Sequence, residues 1–385
     1  MRVIVAPDKF KGSLSAPEAA RHLAAGLDGA RPGTETVLVP LADGGEGTID
    51  AAVAAGYTRV TATVAGPTGH PVAADFALKG DVAVIEMAAA SGLAVLHEGV
   101  PAPLDASSLG TGELVVQALD RGAREIILGV GGSACTDGGA GLLVALGAAL
   151  FDAGDAPLAL GGGALARIER IDLSGLDPRL AGTHFTLASD VDNPLLGPRG
   201  AAAVFAPQKG ATADHVLLLE DALERYFRVL ANEMGTDAVT ASDGPGAGAA
   251  GGVGYAALAV LRAERRPGID VVLELAGLAG KLEGTDVVVT GEGSLDEQSL
   301  SGKAPVGVAR AAAAAGIPVV AVCGRTTLDA TTLAGAGFAR TYALTDLEPD
   351  TTVCMLEAAS LLERIGATIG GELAALAGEK ETTHA

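Results

Sequence analysis

Five loops in this sequence join carboxylates and glycines to lysines or hydroxyls, and each comes after a short apolar run. Asp8-Lys9-Phe10-Lys11-Gly12-Ser13 comes directly after Val3–Ala6. Its two lysines suit a phosphate or a carboxylate near a helix N-terminus. Its plainer alternative is a solvated loop with Ser15 as a helix cap. Asp43-Gly44-Gly45-Glu46-Gly47-Thr48 offers Asp43 and Glu46 to Mg²⁺ or to a substrate hydroxyl, with glycines that let backbone approach a ligand. Gly131-Gly132-Ser133-Ala134-Cys135-Thr136-Asp137-Gly138-Gly139 has the make-up of a phosphate-binding nest. Ser189-Asp190-Val191-Asp192-Asn193-Pro194-Leu195-Leu196-Gly197 offers a hard-cation or hydroxyl-binding group in Asp190, Asp192 and Asn193, or an Asx-turn ahead of Pro194. Thr290-Gly291-Glu292-Gly293-Ser294-Leu295-Asp296 leads on to Gln298, Gly302 and Lys303. Phosphoryl transfer needs metal-binding carboxylates, cations for the phosphates and a base for the attacking hydroxyl.

The third loop admits a second reading. Gly129-x-Gly131-x-x-Ala134 is a dinucleotide fingerprint, with Asp152 at about the expected distance. It would belong to an NAD-dependent 2-hydroxy-acid oxidoreductase. Against it, Asp137 puts negative charge where a pyrophosphate would sit. Another GxGxxG, within Gly244–Gly252, has no strand ahead of it and reads as a nucleotide-hugging or hinge loop. A two-lobed small-molecule binding protein is the non-enzyme alternative, and five acid-bearing loops argue against it. No GxxxxGK[ST], GxSxG or HExxH occurs. Cys135, Cys323 and Cys354 make no CxxC, so no structural metal is expected.

The net charge of −21 excludes nucleic acid and anionic membranes as natural partners. An anionic substrate would need local lysines. With 49% hydrophobic and 19% charged residues, the chain can bury a large core. Its 55 glycines cluster between apolar runs, which marks tight turns and ligand-wrapping loops. The odd, scattered cysteines and the absence of a signal peptide ahead of Val3 lead us to expect a cytoplasmic protein.

The elements that must position these loops alternate. Strands are expected at 3–6, 36–40, 125–130, 286–290 and 318–323, and helices at 16–27, 47–55, 139–150 and 305–315. This is the signature of parallel βαβ units. Runs 60–64, 72–78 and 82–87 are separated only by turns and read as an antiparallel meander, which 185–188 and 203–205 extend. The expected fold is α/β in two domains. Residues 1–60 and 283–385 form a discontinuous Rossmann-like parallel-sheet domain, and 61–282 an inserted mixed-sheet domain. Residues 105–150 fit either.

Ten ordered stretches resemble the bacterial glycerate kinase family, the type with an inserted second domain. They are APDKFKGSLSA (6–16), PLADGGEGT (40–48), GPTGHPV (66–72), IEMAAASGL (85–93), SSLGTGEL (107–114), GVGGSACTDGGAGLL (129–143), SDVDNPLLGPRGAA (189–202), APQKGA (206–211), GAGAAGGVGYA (246–256) and VVTGEGSLDEQSLSGKAPVGVA (288–309). One departure is that Cys135-Thr136 stands where members often carry Thr-Asn. The resemblance implies transfer of the ATP γ-phosphoryl group to D-glycerate with Mg²⁺, and an active cleft between two α/β domains. It leans to 2-phosphoglycerate, with 3-phosphoglycerate as the alternative. A homo-oligomer is compatible with it.

On the matching positions, the residue chemistry suggests a role for each polar group. Lys9 and Lys11 bind phosphate or the substrate carboxylate. Asp8, Asp43, Glu46, Glu292 and Asp296 contact metal or substrate. Gly131, Gly132, Ser133, Asp137, Gly246, Gly248, Gly251 and Lys303 approach the nucleotide. Asp190 is the expected base, oriented by Asn193.

Overall fold

The structure, a computed structural model, describes residues 1–300 and 302–378. In chain order its strands begin with β1 (Arg2–Pro7), β2 (Glu35–Leu38), β3 (Thr58–Ala65), β4 (Pro71–Lys79), β5 (Val82–Glu86) and β6 (Glu125–Gly129). They continue as β7 (Ala149–Asp152), β8 (Ile168–Asp172), β9 (His184–Ala188), β10 (Glu264–Arg266), β11 (Val287–Leu295), β12 (Val319–Thr326) and β13 (Phe338–Ala343). The fold is mixed α/β in two compact units. The first comprises Met1–Asp43, Asp50–Ala55 and the chain from Ile269 onward; the second is Gly44–Ile49 with Gly56–Gly268.

Unit 1 holds a parallel sheet in the order β13-β12-β11-β1-β2. Val3, Ile4, Val5 and Ala6 are buried, alternating between the two hydrophobic cores that cover the sheet. That is the demand a parallel sheet makes of its central strands. Helix Ala16–Ala30 starts at Ser15, whose hydroxyl caps Glu18 N–H while Glu18 caps back. Its buried Ala16, Ala19, Ala20, Leu23 and Leu27 recur at helical spacing and meet helix Ala358–Gly378. Gly26 makes that approach possible, since a Cβ there would lie 2.0 Å from the Glu363 carbonyl oxygen. Gly26→Ala gains about 1 kcal/mol of helix propensity. The clash with backbone outweighs it, so a net loss of about 1–3 kcal/mol is expected. A lowered urea midpoint checks this; an unchanged one refutes it.

Unit 2 holds a six-stranded sheet, β10-β9-β6-β5-β4-β3. The meander is present: β3 pairs antiparallel with β4, and β4 with β5. From β5 onward the sheet turns parallel, through β6 and β9 to β10. Residues 185–188 therefore join this sheet as a parallel strand. Residues 203–205 do not join it; they lie in helix Ala201–Phe205, whose three consecutive alanines favour helix. The helix expected over 139–150 ends early, at Ala145. Gly147, at φ +106, turns the chain into β7, which pairs with β8.

The boundaries differ from the expected ones in two places. Residues 269–282 group with unit 1, because Ile269, Val272, Ala276, Leu278 and Leu282 share a core with Ile4, Val288 and Val308. Residues 44–49 and 56–60 group with unit 2, the latter because β3 pairs with β4. Residues 105–150 also belong to unit 2, whose core takes Leu114, Leu119, Ile126, Leu128 and Leu142.

Candidate active site

In unit 1 the chain runs from β1 outward to β2 on one side, and from β11 to β12 and β13 on the other. The order reverses between β1 and β11. Ligands of open α/β sheets bind at such a switch point, beyond the carboxyl ends of the strands. Asp8 comes immediately after β1, and its N–H donates to Gly291 O at 2.7 Å, one residue before Glu292. The chain beyond β2 stays alongside β1, with Val39 N–H on Val5 O and Leu41 N–H on Pro7 O, and so delivers Asp43. Asp8 just past β1, Asp43 on the chain beyond β2 and Glu292 within β11, which runs on to Leu295, are thus carried by three neighbouring strands and their continuations.

Asp8 and Glu292 are 5% and 7% exposed. Burial pushes the Asp8 carboxyl up to about 7; Lys9 opposes this, while Asp43 and Glu292 add to it. Burial also raises Glu292, against Ser299 and Lys303. Glu292 Oε1 is buried without a hydrogen-bond partner. Lys9 Nζ lies 3.8 Å from Asp8 Oδ1. The Lys9–Lys11 turn is held by reciprocal backbone bonds between Phe10 and Leu14, with Phe10 buried and Lys11 exposed. Lys303, expected among the nucleotide loops, falls in this unit and acts on Glu292 through its charge. Asp296 is a turn former: its Oδ1 accepts from the N–H groups of Gln298 and Ser299.

Among the described residues, no three His, Cys, Asp or Glu side chains close into a metal-binding group. Mg²⁺ carried with phosphates needs only one or two protein carboxylates. Glu292 and Asp43 fit that need, and the orphaned Glu292 Oε1 is an oxygen awaiting a partner.

Unit 2 carries the glycine-rich loops, and here backbone packs on backbone. A Cβ on Gly131 would lie 2.7 Å from Gly45 Cα, and one on Gly129 2.5 Å from Gly44 O. Gly132 O accepts from Leu93 N–H, and Ser133 is buried. Gly138 N–H donates to Gly251 O, and a Cβ on Gly251 would meet Cys135 O at 2.2 Å. Gly248 N–H donates to Asn193 O, and Gly246 sits at φ +87 against Arg265.

Asp137, expected to touch nucleotide, is fully buried. Its Oδ2 accepts from Ser108 N–H at 2.8 Å, Ser108 Oγ at 2.9 Å and Gly141 N–H at 3.2 Å, and its Oδ1 from Gly139 N–H at 3.2 Å. Its carboxylate braces the loop from inside. Asp190 stands exposed after β9, with Oδ1 accepting Gly268 N–H at 2.8 Å. Asn193 Nδ2 donates to Arg199 O, and Asp192 pairs with Arg265 at 2.7 Å. Glu46 is exposed and belongs to unit 2, whereas Asp43 of the same motif belongs to unit 1.

Two charged residues had no expected role. Glu86 is buried and accepts Ile49 N–H. Lys209, 1% exposed, donates to Cys135 O, and burial lowers its pKa. Both lie in the ten family-like stretches, but nothing in sequence marks a charged residue as buried. The dinucleotide reading fails on geometry. Its loop opens only the six-residue helix Ala140–Ala145, and Asp152 closes a hairpin turn by accepting from Gly154 and Ala156 N–H.

A parallel sheet with acids and a lysine at its switch point defines an α/β enzyme equipped for phosphate chemistry. The model of the glycerate kinase family matches residues 3–374. The chain belongs to the glycerate kinase family, and it is a kinase. It is 46% identical to a glycerate kinase of Bacillus subtilis (strain 168), over 86% of each chain. To the glycerate 2-kinase of Escherichia coli (strain K12) it is 45% identical, again over 86% of each. A solved structure described as glycerate kinase 2 from Salmonella typhimurium LT2 superposes with a TM-score of 0.84 over 99% of both chains, at 41% identity. No helix among the described residues is long and apolar enough to cross a membrane.

Proposed function

We propose that this chain transfers the γ-phosphoryl group of ATP to the 2-hydroxyl of D-glycerate, giving 2-phosphoglycerate and ADP. The observation that carries the reading is the Asp8–Asp43–Glu292 group, carried by three adjacent parallel strands and their continuations at the switch point, with Lys9 beside Asp8. The 2-hydroxyl is favoured by the name of the Escherichia coli relative. Glu292 and Asp43 would hold Mg²⁺. When bound, that ion neutralises charge on the transferring phosphate. Lys9 and Lys11 bind phosphate or the glycerate carboxylate. Gly132, Ser133 and Gly246 offer backbone to the nucleotide, whereas Gly131, Asp137, Gly248 and Gly251 support those loops from within.

The attacking hydroxyl must lose its proton as its oxygen bonds to phosphorus and ADP departs. Asp190 is the base expected from the sequence; it is exposed, and one of its oxygens accepts Gly268 N–H, just as Asp8 Oδ1 accepts Lys9 N–H at 2.6 Å. Asp8 is the better candidate. It is buried at the switch point, and in the metal-free protein burial pushes its carboxyl up to about 7. The reaction is placed in the cytoplasm, in keeping with three cysteines that are all unpaired.

The test supplies ATP, Mg²⁺ and D-glycerate, with enolase but no phosphoglycerate mutase. ADP should appear with glycerate, EDTA should stop it, and enolase should consume the product directly. A need for mutase would move the reaction to the 3-hydroxyl. No ADP at all would end the reading.

A further inference from the structure

The turn that carries Glu46 stands in unit 2 between two pinned flanks. Thr48 closes it, donating to Gly45 O from its N–H at 3.3 Å and from its hydroxyl at 2.7 Å. Gly47 sits at φ +102, the left-handed backbone that the third position of a type II turn requires. One flank is held by backbone packing, Gly44 on Gly129 and Gly45 on Gly131. The other is held by Glu86. Ile49 is the second residue of helix Thr48–Ala54, and the first N–H groups of a helix have no partner within it. Ile49 N–H donates to Glu86 Oε1 at 2.6 Å. Glu86 ends β5 beside Gly129 of β6, is 8% exposed, and does not cap its own helix, Met87–Ser91, with its side chain. A carboxylate buried there costs free energy that only a specific partner offsets. Of residues 44–49, Glu46 alone is exposed.

We propose that Glu46 holds the glycerate hydroxyl that is not phosphorylated, and that Glu86 is the positioning residue that aims it through Ile49. A carboxylate repels the glycerate carboxylate and phosphate, and it accepts from a hydroxyl. Its other ligand would be Mg²⁺, which the proposed reaction gives to Glu292 and Asp43. Gly44, Gly45 and Gly47 leave the turn little stiffness of its own. Glu46 therefore keeps one direction only while both flanks are fixed. The inference rests on the proposed reaction, in which the held group is the 3-hydroxyl.

The test compares D-glycerate with D-lactate, which lacks only the 3-hydroxyl. A site built to bond a hydroxyl rejects the analogue without it, so the parent should prefer glycerate by about 100-fold or more in kcat/KM. Glu46→Ala should cut that preference by about tenfold or more, chiefly by raising the KM for glycerate. Glu86→Ala should do the same, yet add little once Glu46 is already alanine. Glu86→Gln should keep most of the preference, because its amide oxygen still accepts Ile49 N–H. Hydrogen exchange reads the link without turnover. The Ile49 amide should exchange about tenfold faster or more in Glu86→Ala, while the amides of β6 keep the parent's rates. Glu46 is exposed, so its variant keeps the test decisive should Glu86→Ala not fold. An unchanged preference in Glu46→Ala overturns the proposal, and so do additive effects of the two substitutions. Faster exchange at Ile49 with the preference intact makes Glu86 a structural residue only and overturns its positioning role. A parent that forms no ADP with glycerate, while Ile49 exchange responds as expected, counts against the proposed reaction and takes the ligand of Glu46 with it; the Glu86–Ile49 link would stand.

Discussion

Replacing Asp8 by asparagine is expected to lower kcat by a factor of about 10²–10⁴ and, in the same molecule, to raise stability at neutral pH. Few substitutions should do both. The rate falls because the amide cannot accept the glycerate proton, while shape and backbone contacts persist. The stability rises because a buried carboxylate with Asp43 and Glu292 for neighbours is strained as an anion. The unfolded group titrates near 3.8 and the folded one near 7. Between those values the folded state binds more protons at Asp8, so its stability falls as pH rises through that window. At about 1.4 kcal/mol per pKa unit, the ceiling of the effect is about 4 kcal/mol at and above pH 7. Asparagine does not titrate. The Tm difference between variant and parent, without ATP or Mg²⁺, should be small near pH 4 and widen towards pH 8. A kcat near normal would remove Asp8 from the role of base. An unchanged Tm difference would mean that its charge is not buried. Asp190→Asn is the matched control: a collapse of kcat there, with Asp8→Asn active, returns the role to Asp190.

Much of this site was legible because its loops come after strands whose apolar runs are unmistakable. Val3–Ala6 and Val287–Thr290 announce strands, and the loop at the carboxyl end of a parallel strand lies at the functional edge of the sheet. Ser15 was readable as a helix cap, and the structure adds the return bond from Glu18 that completes a capping box. Pairing between distant stretches of chain could not be read. Pro7 meets Gly291 although the second unit lies between them in the chain, and no local pattern encodes that register. The glycines misled for a related reason. A glycine permits close approach, but sequence does not say whether the approaching group is a phosphate or another backbone. At Gly131 and Gly251 it is backbone. Acids carry the same ambiguity: Asp8 and Asp137 sit in similar loops, yet the first lies at the end of a strand with its charge strained and the second is fully satisfied.

Asp137→Ala is the substitution that separates these cases, and it is expected to cost about 3–5 kcal/mol of stability, or to prevent folding. The carboxylate is the acceptor for the N–H groups of Ser108, Gly139 and Gly141 and for the Ser108 hydroxyl, all inside unit 2. Alanine would leave those donors buried and unmatched, at about 1–3 kcal/mol each before relaxation. It would also strip charge compensation from Lys209, whose own burial already lowers its pKa and which Asp137 helps to keep charged. Water can reach some of the donors once the side chain is gone, which keeps the total below their simple sum. Asp137→Asn should be milder, since one amide oxygen still accepts while the NH₂ faces donors. Chemical denaturation of the two variants reads the order directly. A nucleotide-contacting Asp137 predicts the reverse: an unchanged midpoint in Asp137→Ala with weakened ATP binding. That outcome would return Asp137 to the ligand and withdraw its structural assignment.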